Sequence, residues 1–425
     1  MLDLKFIREN ANKVKHAVKV KNENIDVDKI ISLDEKRREL IQEVENLKQK
    51  RNAESRKIGQ MIKSGQDPVK IKDDVRQIGE RISELDKRLE EIQGELKNLL
   101  LRVPNIPHPS VPIGEDDSAN QIIKEWGEKK EFSFKPKPHW ELGEKLGLFD
   151  LQCAAKLASS GFILFKNLGA RLERALINFM IDLHTKKHNY IEVSPPFLVN
   201  RQTITGTGQL PKLEDDMYIT SVDDLFLIPT AEVPVTNIHS GEILNAVQLP
   251  IYYVSYTPCF RREAGSYGKE TRGLTRVHQF DKVELVKITL PETSYEEHNS
   301  LLKDAEEVLQ ILDIPYRVSI LSTGAISFAA AKCYDIEAWA PGMEMYLEVS
   351  SCSNYENFQA QRANIRFRRE SGAKPEFVHT LNASGLALPR TVISLIENYQ
   401  LPDGSIKIPE PLQPYFGDSK ISVQS

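Results

Sequence analysis

The clearest pattern lies near the start of the chain. Val75, Ile78, Ile82, Leu85, Leu89, Ile92, Leu96 and Leu99 recur at alternating spacings of three and four, with charged residues between them. That rhythm is the seam of a coiled coil. Ile30, Leu33, Leu40, Val44, Leu47, Ile58 and Met61 repeat it upstream, where Arg37, Arg51 and Glu54 break the stripe. Between the two lies Ser64-Gly65-Gln66-Asp67-Pro68, a turn signal whose proline suits the start of a helix. Two long helices joined by so short a loop run antiparallel. At about 32 residues each and 1.5 Å per residue, the hairpin is about 50 Å long. A shorter amphipathic helix is predicted from about Leu4 to Val20.

The pattern then changes. Arg102 to Gly114 (RVPNIPHPSVPIG) carries four prolines in thirteen residues, which no helix can continue through. The predicted domains are therefore 1–105, bearing the hairpin arm, and 106–425. The second mixes helix and strand. Leu172, Leu176, Phe179, Met180 and Leu183 form a helical stripe, and Ser300–Asp313 forms another. Strand composition marks Leu225–Ile228, Ile251–Tyr256, Val277–Ile288, Tyr316–Leu321, Asp335–Ala340 and Met345–Val349, with a hairpin expected around Pro341-Gly342. The strands follow one another without regular helical crossovers, so the expected class is α+β with an antiparallel sheet.

Composition narrows the function classes. The 425 residues are 40% hydrophobic, enough for a sizeable core. No apolar run approaches the ~20 residues of a membrane helix. Asp3, Lys5, Arg8 and Glu9 make the N-terminus unlike a signal peptide, so the expectation is a cytoplasmic protein with no membrane partner. Four dispersed cysteines without a CxxC pair predict reduced thiols and no zinc site. Cys352 beside Ser351 is read as structural, with no His partner placed for thiol chemistry. The net charge of −5 gives no global case for nucleic-acid binding.

Local charge does. Lys48, Lys50, Arg51, Arg56, Lys57 and Lys63 face one acid, Glu54, along the distal part of the first arm helix, whereas Glu80–Lys97 carries six acids and four bases. A charged coiled-coil face is commonly just solvated. Here the basic stretch coincides with the broken seam, which favours an arm that touches a phosphate backbone.

The candidate chemistry lies further on. Read as a strand, Thr275–Leu285 presents Arg276, His278, Phe280, Lys282 and Glu284 on one face, against Val277, Val283 and Leu285 on the other. A ring between cations suits a nucleobase with its phosphates. Upstream, Arg261 and Glu263 share a face, followed by a Gly-rich loop, Ala264–Gly273, expected to be mobile. Thr205-Gly206-Thr207-Gly208 reads as a flexible loop rather than a phosphate loop. Glu348 and Ser351, expected just after a strand, supply hard oxygens of the kind Mg²⁺ accepts. Arg390 opens a helix over Thr391–Tyr399, behind Pro389 and a loop of small polar residues, where it would add charge to an anion site. Arg362, Arg366, Arg368 and Arg369 read as a solvated strand, with an acceptor-stem contact as the alternative.

Thr230-Ala231-Glu232, residues 260–284 (FRREAGSYGKETRGLTRVHQFDKVE), 348–368 (EVSSCSNYENFQAQRANIRFR) and 380–390 (TLNASGLALPR) together resemble the motifs of seryl-tRNA synthetases, a class II aminoacyl-tRNA synthetase family. The resemblance extends to the arm and to the proline-rich linker. It implies a class II synthetase-like antiparallel sheet flanked by helices. It also implies a homodimer, built through the segment ending at Pro195-Pro196, that charges tRNA(Ser) with serine using ATP and Mg²⁺; tRNA(Sec) is a further candidate acceptor. Thr230, Ala231, Glu232, Glu284, Asn382 and Ser384 would form the serine pocket, with Arg261 bridging the serine carboxylate and the α-phosphate. Arg262, Glu263, Val277, Val349 and Ser350 belong to the implied ATP-contacting stretches. Phe280 would stack on adenine, Arg276 and Arg390 would hold the triphosphate, and Glu348 and Ser351 would bind Mg²⁺. The arm cations would grip the tRNA. Three positions depart from the family pattern: Ala383 and Pro389 stand where glycines are common, and Gln361 where an arginine is.

Neither step of such a reaction needs a protein nucleophile, which fits the lack of an apparent Ser-His-Asp arrangement. The rivals are another class II synthetase, a carrier-protein ligase built on the same catalytic domain, which would lack the arm, and a non-enzymatic coiled-coil adaptor, which need not keep Arg261, Glu263, Glu348, Ser351 and Arg390.

Overall fold

The structure, a computed structural model, describes residues 1–263 and 272–422. Two compact units divide it: Leu2–Lys19 with Glu23–Pro104, and Asn105–Ser425 with Met1 and Val20–Asn22.

The first unit is helical. The helix expected over residues 4–20 is two, α1 (Leu4–Glu9) and α2 (Ala11–Val20), because Asn10 leaves helical geometry and its side-chain amide caps Phe6 O at 3.1 Å. The arm is α3 (Val27–Lys63) and α4 (Val69–Leu100). The ion pair Lys29–Glu95 (2.7 Å) joins the start of α3 to the end of α4, as antiparallel helices require, and Arg81–Glu43 (3.1 Å) and Lys48–Asp86 (3.7 Å) link their middles. Val44, Ile78, Ile82 and Leu85 form its packed centre. At 1.5 Å per residue, the 37 residues of α3 span about 55 Å. The break at Arg37 has a cause: with Arg8 it flanks Asp34, a fully buried carboxylate. Burial alone would raise the Asp34 pKa, but hydrogen bonds from Arg37 and Arg8 outweigh it and hold the group below its ordinary value.

The second unit is built on a sheet. Its strands in chain order are β1 (Gln121–Trp126), β2 (Ile191–Glu192), β3 (Leu198–Asn200), β4 (Leu225–Leu227), β5 (Ile243–Asn245), β6 (Ile251–Phe260), β7 (Gln279–Thr289), β8 (Tyr316–Ile320), β9 (Lys332–Ala340), β10 (Met345–Asn354), β11 (Arg366–Arg368), β12 (Glu376–Phe377) and β13 (His379–Ala387). The helices are α5 (His139–Leu146), α6 (Leu151–Leu157), α7 (Asn167–Lys186), α8 (Arg201–Thr207), α9 (Glu232–Thr236), α10 (Ser294–Ile311), α11 (Phe358–Ala363) and α12 (Leu388–Asn398). The main sheet runs β1-β8-β9-β10-β13-β7-β6-β2, antiparallel at every junction except β2 with β6. Apolar residues of α7, α10 and α12 share one core with Val283, Leu285, Leu381, Ala383 and Cys352 of the strands. No helix among the described residues is long and apolar enough to cross a membrane.

Local departures from expectation have physical causes. The strand read from Thr275 begins only at Gln279. Gly273, at φ +76°, and the Leu274 N–H, held by His139 Nε2 at 3.1 Å, turn the chain before it joins the sheet, so Arg276 and His278 are not rungs of the Phe280 ladder. The loop expected across Ala264–Gly273 lies, from 264 to 271, outside the described residues. Thr205–Gly208 is not a loop: it closes α8, with Gly208 as a left-handed cap at φ +99°. Glu348 and Ser351 lie within β10, not after it. Arg362 is on α11 rather than a solvated strand, and burial lowers its pKa to about 10. Cys259, Cys333 and Cys352 are buried free thiols, and burial pushes the Cys352 thiol well up, away from nucleophile chemistry.

Candidate functional site

The face of the sheet opposite α7 and α10 carries a cavity of about 350 Å³. Strand alternation explains much of its wall: Phe280 and Lys282 project from β7, Asn382 and Ser384 from β13, and Ser384 pairs in register with Glu284.

The floor is a closed polar network. Asn382 Nδ2 donates to Glu284 Oε1 at 2.6 Å and to Glu232 Oε2 at 3.2 Å. Lys282 Nζ lies 2.6 Å from Glu284 Oε2 and donates to Thr230 Oγ1 at 2.8 Å. Gln359 Nε2 donates to Glu232 Oε1 at 2.6 Å, and Tyr355 OH donates to Asn382 Oδ1 at 2.9 Å. Thr230, Glu232, Lys282, Glu284 and Asn382 are all buried. Glu284 has a cation beside it. Burial, followed by repulsion from Glu284, raises the Glu232 pKa to about 7. The floor is therefore poised to accept a small cationic group.

Above the floor, Arg261 is anchored by its Nε donating to Pro229 O at 3.3 Å, with its guanidinium 5.3 Å from the Phe280 ring. Arg276 Nη1 donates to Glu263 Oε2 at 3.1 Å. Arg390 Nη1 donates to Glu348 O at 2.8 Å and its Nε to Thr275 O at 3.2 Å, so α12 is tied to both β10 and the turn before β7.

Glu348 and Ser351 meet through a distortion. Residues three apart on a regular strand face opposite ways. The register of β10 against β9 slips between Glu348 and Ser350, and this bulge brings Ser351 Oγ to 3.2 Å from Glu348 Oε1 and 2.6 Å from Asp335 Oδ1. Burial, with Glu348 nearby, pushes the Asp335 carboxyl well up. Among the described residues no group of three or more His, Cys, Asp or Glu side chains is arranged to hold a metal ion. The all-oxygen pair Glu348–Ser351 nonetheless fits Mg²⁺, which takes few protein ligands where phosphates supply the rest.

The structure thus brings Thr230, Glu232, Arg261, Glu263, Arg276, Val277, Phe280, Glu348, Val349, Ser351, Asn382, Ser384 and Arg390 to one cavity. Glu284 lies one layer deeper, behind Asn382 and Lys282. Three candidates point elsewhere. Ala231 packs in a small apolar cluster with Val235 and Val286, Ser350 donates to Ser384 O at 2.6 Å, and Arg262 is exposed. Sequence reasoning missed Asp335, Tyr355 and Gln359. Asp335 looked like one residue of an ordinary strand, and only the β9–β10 pairing reveals it; Tyr355 and Gln359 sit inside the 348–368 motif without a spacing that marks them.

Residues 214–399, which supply the whole lining of this cleft, match the family model of the tRNA synthetase class II core domain (G, H, P, S and T), so the chain carries a class II aminoacyl-tRNA synthetase core. Residues 1–107 match the seryl-tRNA synthetase N-terminal domain. The chain is 54% identical to a serine–tRNA ligase of Geobacter sulfurreducens, over 98% of this chain and 99% of the relative, and 55% identical to that of Citrifermentans bemidjiense, over 99% of each. Among solved structures, seryl-tRNA synthetase from Pyrococcus horikoshii complexed with ATP superposes with a TM-score of 0.94 at 40% identity, covering all of both chains. The cytoplasmic enzyme of Naegleria fowleri in complex with AMP gives 0.88 at 28%, covering 100% of this chain and 99% of the other. The chain belongs to the seryl-tRNA synthetase family, and its reaction is the ligation of serine to tRNA.

Proposed function

We propose that this cavity condenses serine with ATP, using only bound and oriented groups, and that the helical arm selects the tRNA that accepts the product. The observation that carries the reading is the convergence of two opposite chemistries in one cleft: Glu232, Glu284 and Asn382 at the floor, and Arg261, Arg276 and Arg390 above it.

Glu232 receives the ammonium of serine, while Ser384 and the Asn382–Glu284 pair meet its hydroxyl. Arg261, between floor and roof, holds the serine carboxylate against the α-phosphate. The carboxylate oxygen attacks the α-phosphorus, pyrophosphate leaves, and seryl-adenylate remains. Phe280 and the backbone near Val277 and Glu263 hold the adenosine, and Arg276 and Arg390 hold the phosphates. Glu348 and Ser351 would hold Mg²⁺, which supplies charge neutralisation on the phosphates. Charge placed in advance where charge develops is what lowers the barrier.

The acceptors are tRNA(Ser) and, as a second acceptor to be tested, tRNA(Sec). Supporting the arm's role, Lys48, Lys50, Arg56, Lys57 and Lys63 are exposed on α3, with Arg51 half-buried beside them. A cytoplasmic homodimer completes the reading. Its support is an apolar edge: Ile191, at the end of the sheet, and Phe197 and Leu198, just past Pro195-Pro196, are 57%, 40% and 45% exposed.

Amino-acid-dependent ATP–pyrophosphate exchange with all twenty amino acids tests this. Serine supports exchange without tRNA. Alanine, which leaves buried polar groups unpaired, falls short by as much as ~10⁴-fold. No exchange with serine, or equal exchange with another amino acid, contradicts the reading.

A further inference from the structure

Lys282 is only 5% exposed, yet it lines the floor of the cavity. A buried ammonium needs partners. Its Nζ lies 2.6 Å from Glu284 Oε2 and donates to Thr230 Oγ1 at 2.8 Å, and Thr230 Oγ1 also accepts the Glu232 N–H at 3.2 Å. One side chain thus ties the Thr230–Glu232 segment to β7. An ammonium carries three N–H bonds, so a donor remains for the cavity. Glu284 stands behind Lys282 and Asn382 and does not line the cavity itself. A side chain entering here meets the cation before the carboxylate.

Charge counting sets what can enter. Glu232 and Glu284 bring two negative charges and Lys282 one positive, which leaves one to match the ammonium of an amino acid. A hydroxyl on Cβ adds no charge, and its oxygen can accept the remaining Lys282 proton. A bare methyl leaves that proton unpaired. An ammonium on Cβ is close in size to a hydroxyl, so shape alone does not reject it. It sets a second positive charge against Lys282 and has no lone pair to accept with, and a buried unmatched charge costs more than an unmade hydrogen bond.

We propose that Lys282 is a specificity-determining residue: it donates to the serine hydroxyl and excludes amino acids whose Cβ carries an ammonium, of which 2,3-diaminopropionate is the nearest isostere of serine. Without Lys282 the floor would hold two negative charges, the complement of a diamino acid. The lysine therefore turns an acidic pocket, which would favour cations, into one that reads a neutral donor and acceptor. This inference deepens the reading of the cavity as the serine site and rests on it.

Pyrophosphate exchange by the full-length protein with serine and with 2,3-diaminopropionate, near pH 7, tests it. The unmutated protein uses 2,3-diaminopropionate ~10³-fold or more below serine in kcat/KM. In Lys282→Met the substrate's own ammonium takes the place of the lost one beside Glu284. Exchange with serine then falls ~10²-fold, exchange with 2,3-diaminopropionate rises above that of the unmutated protein, and the ratio of the two shifts by ~10³-fold. Lys282→Arg keeps the charge and so keeps the exclusion. A substitution that only loosened the floor would lower both rates together, so the rise separates specificity from support. Proportional losses in folded Lys282→Met overturn the proposal. So does use of 2,3-diaminopropionate by the unmutated protein within ~10-fold of serine, a result that needs no variant to fold. If serine supports no exchange in the unmutated protein, the reading of the cavity fails before the two amino acids are compared.

Discussion

The side-chain amide of Asn382 donates to Glu284 at 2.6 Å while also reaching Glu232 at 3.2 Å, so one neutral group holds two buried carboxylates in a fixed spacing. Replacing it with alanine strands polar groups on both sides, a loss of about 1–3 kcal/mol. Asn382→Ala is therefore expected to lower kcat/KM for serine about 10- to 100-fold in the exchange assay, with a much smaller change in KM for ATP. Equal losses for both substrates would mean that the amide does not act on the serine side.

Protonation should tune serine binding through Glu232. Its carboxyl is raised to about 7, by burial first and by Glu284 second. A raised acid is neutral below that value, and a neutral acid gives up its attraction for an ammonium. Serine KM should rise as pH falls from 8 to 6, and calorimetric titration near pH 7 should show proton release on binding serine. A Glu232→Gln variant should lose both effects. A flat serine KM across that range would refute the assignment.

Arg390 joins three elements by donating to Glu348 O and Thr275 O from α12. A lysine has one charged centre and cannot reproduce that fork. Arg390→Ala should cut exchange about 10²- to 10³-fold, the scale seen for loss of one charge-stabilising donor. Arg390→Lys should recover only a small part. Full recovery by lysine would show that charge alone, without the geometry, suffices.

Pro389 sits in the first turn of α12, a position that tolerates its missing N–H. Pro389→Gly should therefore weaken folding by about 0.4–1 kcal/mol through the unfolded chain while leaving exchange within about threefold. The check is a melting curve beside an exchange rate. A large loss of exchange would mean that the proline sets the position of Arg390.

Much of this molecule could be read from residue spacing, and the failures share one cause. The arm seam was legible because heptad spacing persists over many turns, and β7 because Phe280, Lys282 and Glu284 alternate cleanly. Alternation cannot foresee a slip in register. The bulge after Glu348 puts Glu348 and Ser351 side by side, and another between Ser384 and Leu386 interrupts β13. Nor does it foresee Asp335, which enters the site from a neighbouring strand, or the turn at Gly273 that removes Arg276 from the ladder. The arm's break at Arg37 was visible, but its buried partner Asp34 was not.

The account separates forming the adenylate from choosing the acceptor. Deleting residues 30–98 and measuring both activities on the same folded preparation tests that separation directly. Serine-dependent pyrophosphate exchange should remain within about twofold, whereas tRNA charging should fall by about three orders of magnitude or more once the arm's phosphate contacts are gone. Charging that survives the deletion, or exchange that disappears with it in a folded protein, would contradict the account.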